Sequence, residues 1–463
     1  MHEEGTALES LEDLDRRYVL HPFTSIRDHL QAGPLMIVEG KGCRLVDSKG
    51  NSYLDAMAGL WCVNVGYGNA EIADAIATQS RRLSYYHTFS SMGNDVSTHL
   101  AERLVTTAPV PMSKVFFGNS GSDANDTEIK LVWYYNNVLG RTKKKKLISR
   151  RRGYHGVTAL TAGLTGLDNV HAGFDAPLPM IRHVRAPQRL WEAGPQATDA
   201  EFTAALAREL EDLILVEGPE TVAAFIAEPV QAAGGVIIPP AGYFRAVQEV
   251  LRRYDILLVA DEVVSGFGRL GRWFGTEVFG IEPDIITTAK GITSAYAPLS
   301  ASYLSARVVD VLAEGSDRFG PIGHGYTYSA HPLAAAAALA NLDIVEREGL
   351  VDQAAKRGAY MLEALRERFE RHPHVGEVRG EGLIAGVELV ASRDPLERFD
   401  PALKVGGRVA RASIGHGVIT RALPDADTVA FSPPFVVTES EIDEMVDGVR
   451  RALDDVLATL PSG

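Results

Sequence analysis

Three groups of residues in this chain are of types that could do chemistry together. The apolar run "PDIITTAKG" ends in Lys290. Burial lowers a lysine's pKa and leaves its amine nucleophilic, which Schiff-base chemistry requires. Asp261 and Glu262 directly follow "ILLVA", so a charge stands at the carboxyl end of a buried strand, where open α/β sheets bind ligands. Upstream, "VFFGNSGSDANDTEIKLVW" passes from a strand through a glycine and serine turn into an amphipathic helix. The amides near Gly121 and Ser122 then face whatever lies over the helix start, and an anion, phosphate above all, is the natural occupant. Taken singly, each group has an ordinary explanation: a lysine snorkelling from a strand end, a loop-capping aspartate, a polar turn.

The elements that must position these groups are legible in the pattern of the chain. After an irregular N-terminal segment (1–70), apolar strand-like runs such as "SKVFFGN", "VAAFIAEPV" and "ILLVADEVV" alternate with helical patterns across 71–330. Such alternation predicts a mostly parallel sheet covered by helices on both faces. Next comes "HPLAAAAALANLDIVEREG", with Pro332 placed for a first helical turn, and it reads as a connector helix. The remainder, 331–463, alternates helix and strand on a smaller scale and predicts a second α+β domain, with "TESE" as a capping signal before the last helix. The patch "RTKKKK" (141–146) reads as a solvated loop.

Composition narrows the function. With 463 residues, Lys+Arg 46 against Asp+Glu 60 gives a net charge of −14, which argues against nucleic acid or an anionic membrane as the main partner. No stretch approaches the roughly 18 apolar residues of a membrane span, and the opening "MHEEGTALESLEDLDRRYVL" lacks the pattern of a secretory signal, so a cytoplasmic location is expected. Cys43 and Cys62 lack both a disulfide framework and metal-ligand spacing, and no metal is expected.

The stretch "ILLVADEVVSGFGRLGRWFG" also holds a G-x-G-x-x-G at Gly266, Gly268 and Gly271. A dinucleotide turn needs a helix opening on the last glycine and an acid at the tip of the next strand. Here "RWFGTEVFGIEPD" is broken by Gly275, Gly280 and Pro283, Asp284 precedes the next apolar run, and no helix fits. The nicotinamide reading therefore falls.

Phosphate cradle, carboxylate and lysine, in that order along one α/β domain, fit pyridoxal 5′-phosphate. The chain here resembles the class III pyridoxal-phosphate aminotransferases of fold type I, and within them the ω-amino acid or amine:pyruvate branch. The motifs that carry the resemblance are "FGNSGSDAND", "RRRGYHG", "AEPVQAAGG", "LLVADEVVSGFGRLG", "TTAKG" and "HGYTYSAHP", which span nearly the whole chain. The resemblance implies a large domain with a seven-stranded, mostly parallel sheet and a smaller α+β domain. It implies that Lys290 binds the cofactor aldehyde as a Schiff base and is the catalytic residue, and that Asp261 pairs with the ring nitrogen. Val263 and Tyr154 would sandwich the ring, and Gly121 and Ser122 would form the phosphate cup. Thr327 would reach the phosphate from the other subunit of a homodimer, which could pair further into a tetramer.

The resemblance also bears on substrates. Members that accept 2-oxoglutarate carry a glutamate where this chain has Ala233 and a glutamine where it has Val264, and both departures point towards pyruvate. Arg421 matches an arginine that binds a carboxylate and swings aside for an apolar amine; an exposed arginine paired with Asp425 or Asp427 is the competing reading. Phe23, Trp61 and Phe89 match pocket walls, Phe89 from the neighbouring subunit. The implied activity moves an amino group from an ω-amino acid or primary amine to pyruvate, giving alanine, with ping-pong kinetics. The alternatives are another class III reaction (2-oxoglutarate-dependent transfer, decarboxylation or aminomutation) and a cofactor-binding protein without turnover.

Overall fold

The computed structural model describes residues 9–194, 196–424 and 427–460. Its centre is a seven-stranded sheet of β1 (Lys114–Gly118), β2 (Lys146–Arg150), β3 (Ile181–Val184), β4 (Val222–Ala227), β5 (Leu257–Asp261), β6 (Ile285–Thr288) and β7 (Ser300–Leu304), in the order β1-β7-β6-β5-β4-β2-β3. All neighbours run parallel except β7, which is antiparallel to both β1 and β6. Every residue of β4, β5 and β7 is buried, as a sheet covered on both faces requires. The carboxyl ends of β1, β2, β4, β5 and β6 therefore share one edge of the sheet.

Helix Gly121–Val138 starts three residues after β1. Ser120 accepts from the Asp123 amide while the Asp123 carboxylate accepts from the Ser120 amide, a reciprocal cap that fixes where the helix begins. Helix Pro332–Arg347 carries Pro332 in its first turn, where a missing N–H costs nothing, and its run of buried alanines lets it lie close to its neighbours.

Beyond this connector, helices Leu350–Phe369, Val405–Gly415 and Glu439–Leu457 pack on an antiparallel sheet ordered Val375–Glu381, Ile384–Leu389, Thr428–Phe431, Arg421–Leu423. Met361, Leu365, Met445 and Val446 fill the seam with no exposed surface, so truncating Leu365 to alanine would cost about 2–5 kcal/mol. Thr438 and Glu441 form the capping box that "TESE" suggested. Glu388 ties the C-terminal sheet to the short helix Arg189–Glu192: it accepts from Arg379 (2.6 Å), Thr428 (2.7 Å) and the Trp191 indole (2.7 Å). Burial alone would raise its pKa, but Arg379 overrides that and holds the carboxyl at about 2.

Several local expectations are corrected. The N-terminal segment is not irregular: helices Leu11–Tyr18 and Ile26–Ala32 are capped by Ser10 and Ser25. Strands Ile37–Lys41, Arg44–Asp47 and Ser52–Asp55 then form a sheet whose last strand pairs in parallel with Val418–Ile419. The lysine patch is a solvated loop only at Thr142 and Lys143. Lys144 is buried and donates to the Tyr254 and Asp255 carbonyls, Lys145 to Asn137, and Lys146 opens β2. A five-residue helix, Gly275–Phe279, does follow the glycine run, but it opens four residues beyond Gly271.

Candidate active site

The glycine run owes its composition to packing. Gly268 (φ +108°) and Gly271 (φ +76°) adopt left-handed conformations, and a Cβ on either would stand 2.9 Å from Phe435 or Ala355 of the C-terminal region. Glu262, beside Asp261, turns away from solvent and accepts from Ser265, the Gly275 amide and Thr276, so it fastens this loop. Burial raises its pKa, with the hydrogen bonds acting against that.

Asp261 closes β5 and is buried. Its Oδ2 accepts from Asn125 Nδ2 (2.9 Å) and from His155 Nδ1 (2.8 Å), while Oδ1 accepts from the Val263 amide (3.1 Å). A carboxylate only accepts, so His155 carries its proton on Nδ1. The other ring nitrogen of His155 lies 3.6 Å from Glu228, which also accepts from the Tyr154 amide and pairs with the fully buried Arg150. Deeper in, Thr287 lies between Asn125 Oδ1 (2.7 Å) and Glu128 Oε2 (2.5 Å). Burial lifts the Glu128 pKa to about 8, against its hydrogen bonds, and Thr287 donates to Asn125 Oδ1. With Asn125 Oδ1 accepting from Thr287, its amide group is turned towards Asp261.

Lys290 stands two residues past the end of β6, opening a single 3-10 turn, rather than closing the strand itself. Its φ of +46° is a left-handed conformation uncommon for a residue with a side chain, and such backbone costs of order 1–3 kcal/mol and collects at functional sites. Desolvation lowers its pKa, with Asp261 and Cys62 pulling the other way.

Two adjoining cavities meet at Tyr154, Asp261, Val263 and Lys290. The smaller, about 370 Å³, is also lined by Gly121, Ser122, Asn125, His155 and Cys62. Its floor is the start of helix Gly121–Val138, whose first amides have no partner within the helix. A Cβ on Gly121 would stand 3.0 Å from Val263, so only glycine keeps that slot open. The donor set fits pyridoxal phosphate: amides for the phosphate, a carboxylate for the ring nitrogen, an amine for the aldehyde, and Tyr154 and Val263 for the ring faces.

The larger cavity, about 950 Å³, is lined by Phe23, Trp61, Ala233, Val264 and Arg421 among others. Arg421 lies on an edge strand of the C-terminal sheet, half-buried, with its guanidinium 5.7 Å from the Trp61 ring centre. Burial lowers its pKa, and Tyr154 acts in the opposite sense. It makes no ion pair among the described residues, and Asp427 instead accepts from the Gly406 amide. Asp425, the other partner considered, lies outside the described residues. Trp61 buries its ring and leaves its N–H without an acceptor among the described residues.

Phe89 and Thr327 do not join either cavity of this chain. Both are exposed and lie in one surface patch, where Phe89 packs against Gly325 and Tyr85 donates to the Thr327 carbonyl (2.6 Å). Sequence reasoning missed Asn125, Glu128, His155, Glu228 and Thr287. Asn125 could have been found one helical turn beyond Gly121, on the same face; His155 and Glu228 sit inside the quoted motifs "RRRGYHG" and "AEPVQAAGG".

The family model described as aminotransferase class-III matches residues 26–453. The chain belongs to the class III aminotransferases. It is 50% identical to an uncharacterized aminotransferase of Sinorhizobium fredii, with 98% of each chain covered. It is 49% identical to a diaminobutyrate–2-oxoglutarate transaminase of Halomonas elongata, again over 98% of each. Among solved structures, the omega transaminase of Pseudomonas jessenii in complex with PMP superposes with a TM-score of 0.95 at 48% identity, covering 97% of this chain and 99% of that one. This class III aminotransferase is thus a pyridoxal-phosphate-dependent enzyme of fold type I, transferring amino groups from amine or amino acid donors to keto acids. No helix among its described residues is long and apolar enough to cross a membrane.

Proposed function

We propose that this aminotransferase takes the amino group of an ω-amino acid or primary amine and delivers it to pyruvate, in a cytoplasmic homodimer with shared active sites. The observation that carries the reading is Arg421: a desolvated guanidinium in the wall of the larger cavity, resting on Trp61 and without an ion pair among the described residues. A small keto acid satisfies that charge through its carboxylate, while Trp61, Phe23, Ala233 and Val264 offer apolar surface to an uncharged amine. With Ala233 where a glutamate would stand, that position supplies no carboxylate to occupy Arg421 when the second carboxylate of 2-oxoglutarate is absent. Phe89 and Thr327, which are exposed and line neither cavity of this chain, complete the site of a second copy in this reading. The division into an N-terminal segment (1–70), a cofactor domain (71–330) and a C-terminal domain (331–463) belongs to the same proposal, supported by the two main sheets on either side of helix Pro332–Arg347.

Pyridoxal phosphate, when bound, supplies an aldehyde that captures the amine and a cationic ring that withdraws electrons from the carbon bearing it. Lys290 Nζ is the base that takes the proton from that carbon and the acid that returns one during transfer, and its lowered pKa leaves more of it as free amine near neutral pH. Asp261 holds the proton on the ring nitrogen, with Asn125 and His155 fixing its orientation. Gly121 and Ser122 anchor the phosphate, and Tyr154 and Val263 confine the ring.

The test is a pair of half-reactions on purified protein. A visible cofactor band that bleaches with 1-phenylethylamine and returns with pyruvate, alanine being formed, supports the reading. Return with 2-oxoglutarate alone, the acceptor in the name of the Halomonas relative, would replace pyruvate as acceptor. A band that responds to no amine would overturn the donor class.

A further inference from the structure

Helices Leu11–Tyr18 and Ile26–Ala32 contain no buried residue, so no hydrophobic core holds them together. Between them lies the turn that carries Phe23, at φ +51°, into the wall of the larger cavity. What joins the two helices is a cluster of side chains. Asp15 from the first helix, His21 from the turn and His29 from the second converge so that one ligand atom of each lies within 4.8 Å of the others. His21 Nε2 is 2.8 Å and His29 Nε2 3.2 Å from the same Asp15 oxygen, and the two imidazole rings are 4.2 Å apart. The side chains of Asp15 and His29 are only 12% and 9% exposed. His29 Nε2 is buried without a well-formed hydrogen bond, although it points at the carboxylate.

We propose that Asp15, His21 and His29 bind a divalent transition-metal ion, zinc by ligand chemistry, that staples the N-terminal segment and fixes the Phe23 turn. Two neutral imidazole nitrogens and one carboxylate oxygen are a ligand set suited to zinc, with water in the fourth position. With metal–ligand distances of about 2.0–2.2 Å, tetrahedral ligands stand about 3.4 Å apart. The two nitrogen–oxygen separations of 2.8 and 3.2 Å need only small side-chain movements to reach that spacing. A hydrogen-bonded cluster would ask both nitrogens to donate to one oxygen, and the buried His29 nitrogen does not do so with good geometry. The sequence reading expected no metal because it weighed only cysteine spacing; two histidines and an aspartate scattered over fifteen residues converge only through the helix–turn–helix path.

The test uses untagged holoenzyme, dialysed against chelator and then titrated with Zn²⁺ alone. Bound zinc is measured by equilibrium dialysis, and trypsin cleavage after Arg16, Arg17 and Arg27 reports the order of the segment. The wild type is expected to hold one more zinc per chain than His29→Gln or His21→Gln, or to bind it at least about tenfold more tightly. Zinc should slow cleavage of the segment in the wild type and leave both variants unaffected. Glutamine can still hydrogen-bond to Asp15, so a purely hydrogen-bonded cluster would behave alike in all three proteins. Equal zinc in wild type and variants, or zinc binding that leaves cleavage of the segment unchanged, overturns the proposal.

Discussion

His155 Nδ1 lies 2.8 Å from Oδ2 of Asp261, and both side chains are buried at the carboxyl edge of the central sheet. With Asn125 on the same oxygen, Oδ2 takes two hydrogen bonds, whereas Oδ1 among the described residues accepts only from the Val263 amide and keeps capacity for a further donor. Asp261→Asn removes the charge that would hold the ring nitrogen protonated and is expected to lower kcat by about 10²–10³. His155→Ala keeps that charge but frees its orientation, so its loss should be smaller. Single-turnover rates with 1-phenylethylamine rank the two.

Lys290→Ala should abolish the bleaching of the cofactor band by amine and cost at least about 10²–10⁴ in turnover. In the wild type, desolvation places the Lys290 pKa below the ordinary lysine value, so the free amine forms at lower pH and the rate should level off below the range in which an exposed lysine titrates. Asp261 opposes that shift. Asp261→Asn should therefore move this rising limb of the pH–rate profile further towards acid, and a limb that moves the other way would refute the assignment.

Arg421→Ala separates the two halves of the reaction. Hydrogen bonds to charged groups contribute about 1.5–3 kcal/mol, so return of the band with pyruvate should slow by about 10–150-fold. Bleaching by a simple amine, which offers no carboxylate, should change little. Equal loss in both half-reactions would make Arg421 a structural residue.

Glu128 gives a prediction about stability. Its folded pKa of about 8 lies above its ordinary value of 4.5, so the folded protein holds a proton that the unfolded chain releases across that interval. Stability then falls as pH rises through the window from about 4.5 to 8. Glu128→Gln keeps a polar partner for Thr287 and loses the titration, so it should match the wild type near pH 4.5, exceed it increasingly up to about pH 8, and hold a constant margin above that. Thermal unfolding of both proteins across that range decides the matter.

What was legible in the sequence depended on how locally it was encoded. Strands β4 and β5 followed from apolar runs, because strands buried on both faces leave little room for polar residues, whereas β3 and β7 gave no such run. Lys290, Asp261 and Gly121 were found because each stands just past such a run, at a strand end or a helix start. The antiparallel direction of β7 left no mark, since "SASYL" reads the same either way. Glu128 and Thr287 were invisible because a buried carboxyl is distinguished only by what the fold places around it. Lys144 looked like surface for the same reason: its carbonyl partners come from Tyr254 and Asp255, far along the chain.

The left-handed backbone at Lys290 sets two demands against each other at one position. The chain holds its reactive amine in a conformation that suits glycine better, so Lys290→Gly should fold to a protein at least as heat-resistant as the wild type while losing catalysis. A screen for thermal endurance that did not also demand turnover would drift away from lysine here, and the persistence of lysine in a laboratory lineage would itself record selection for activity.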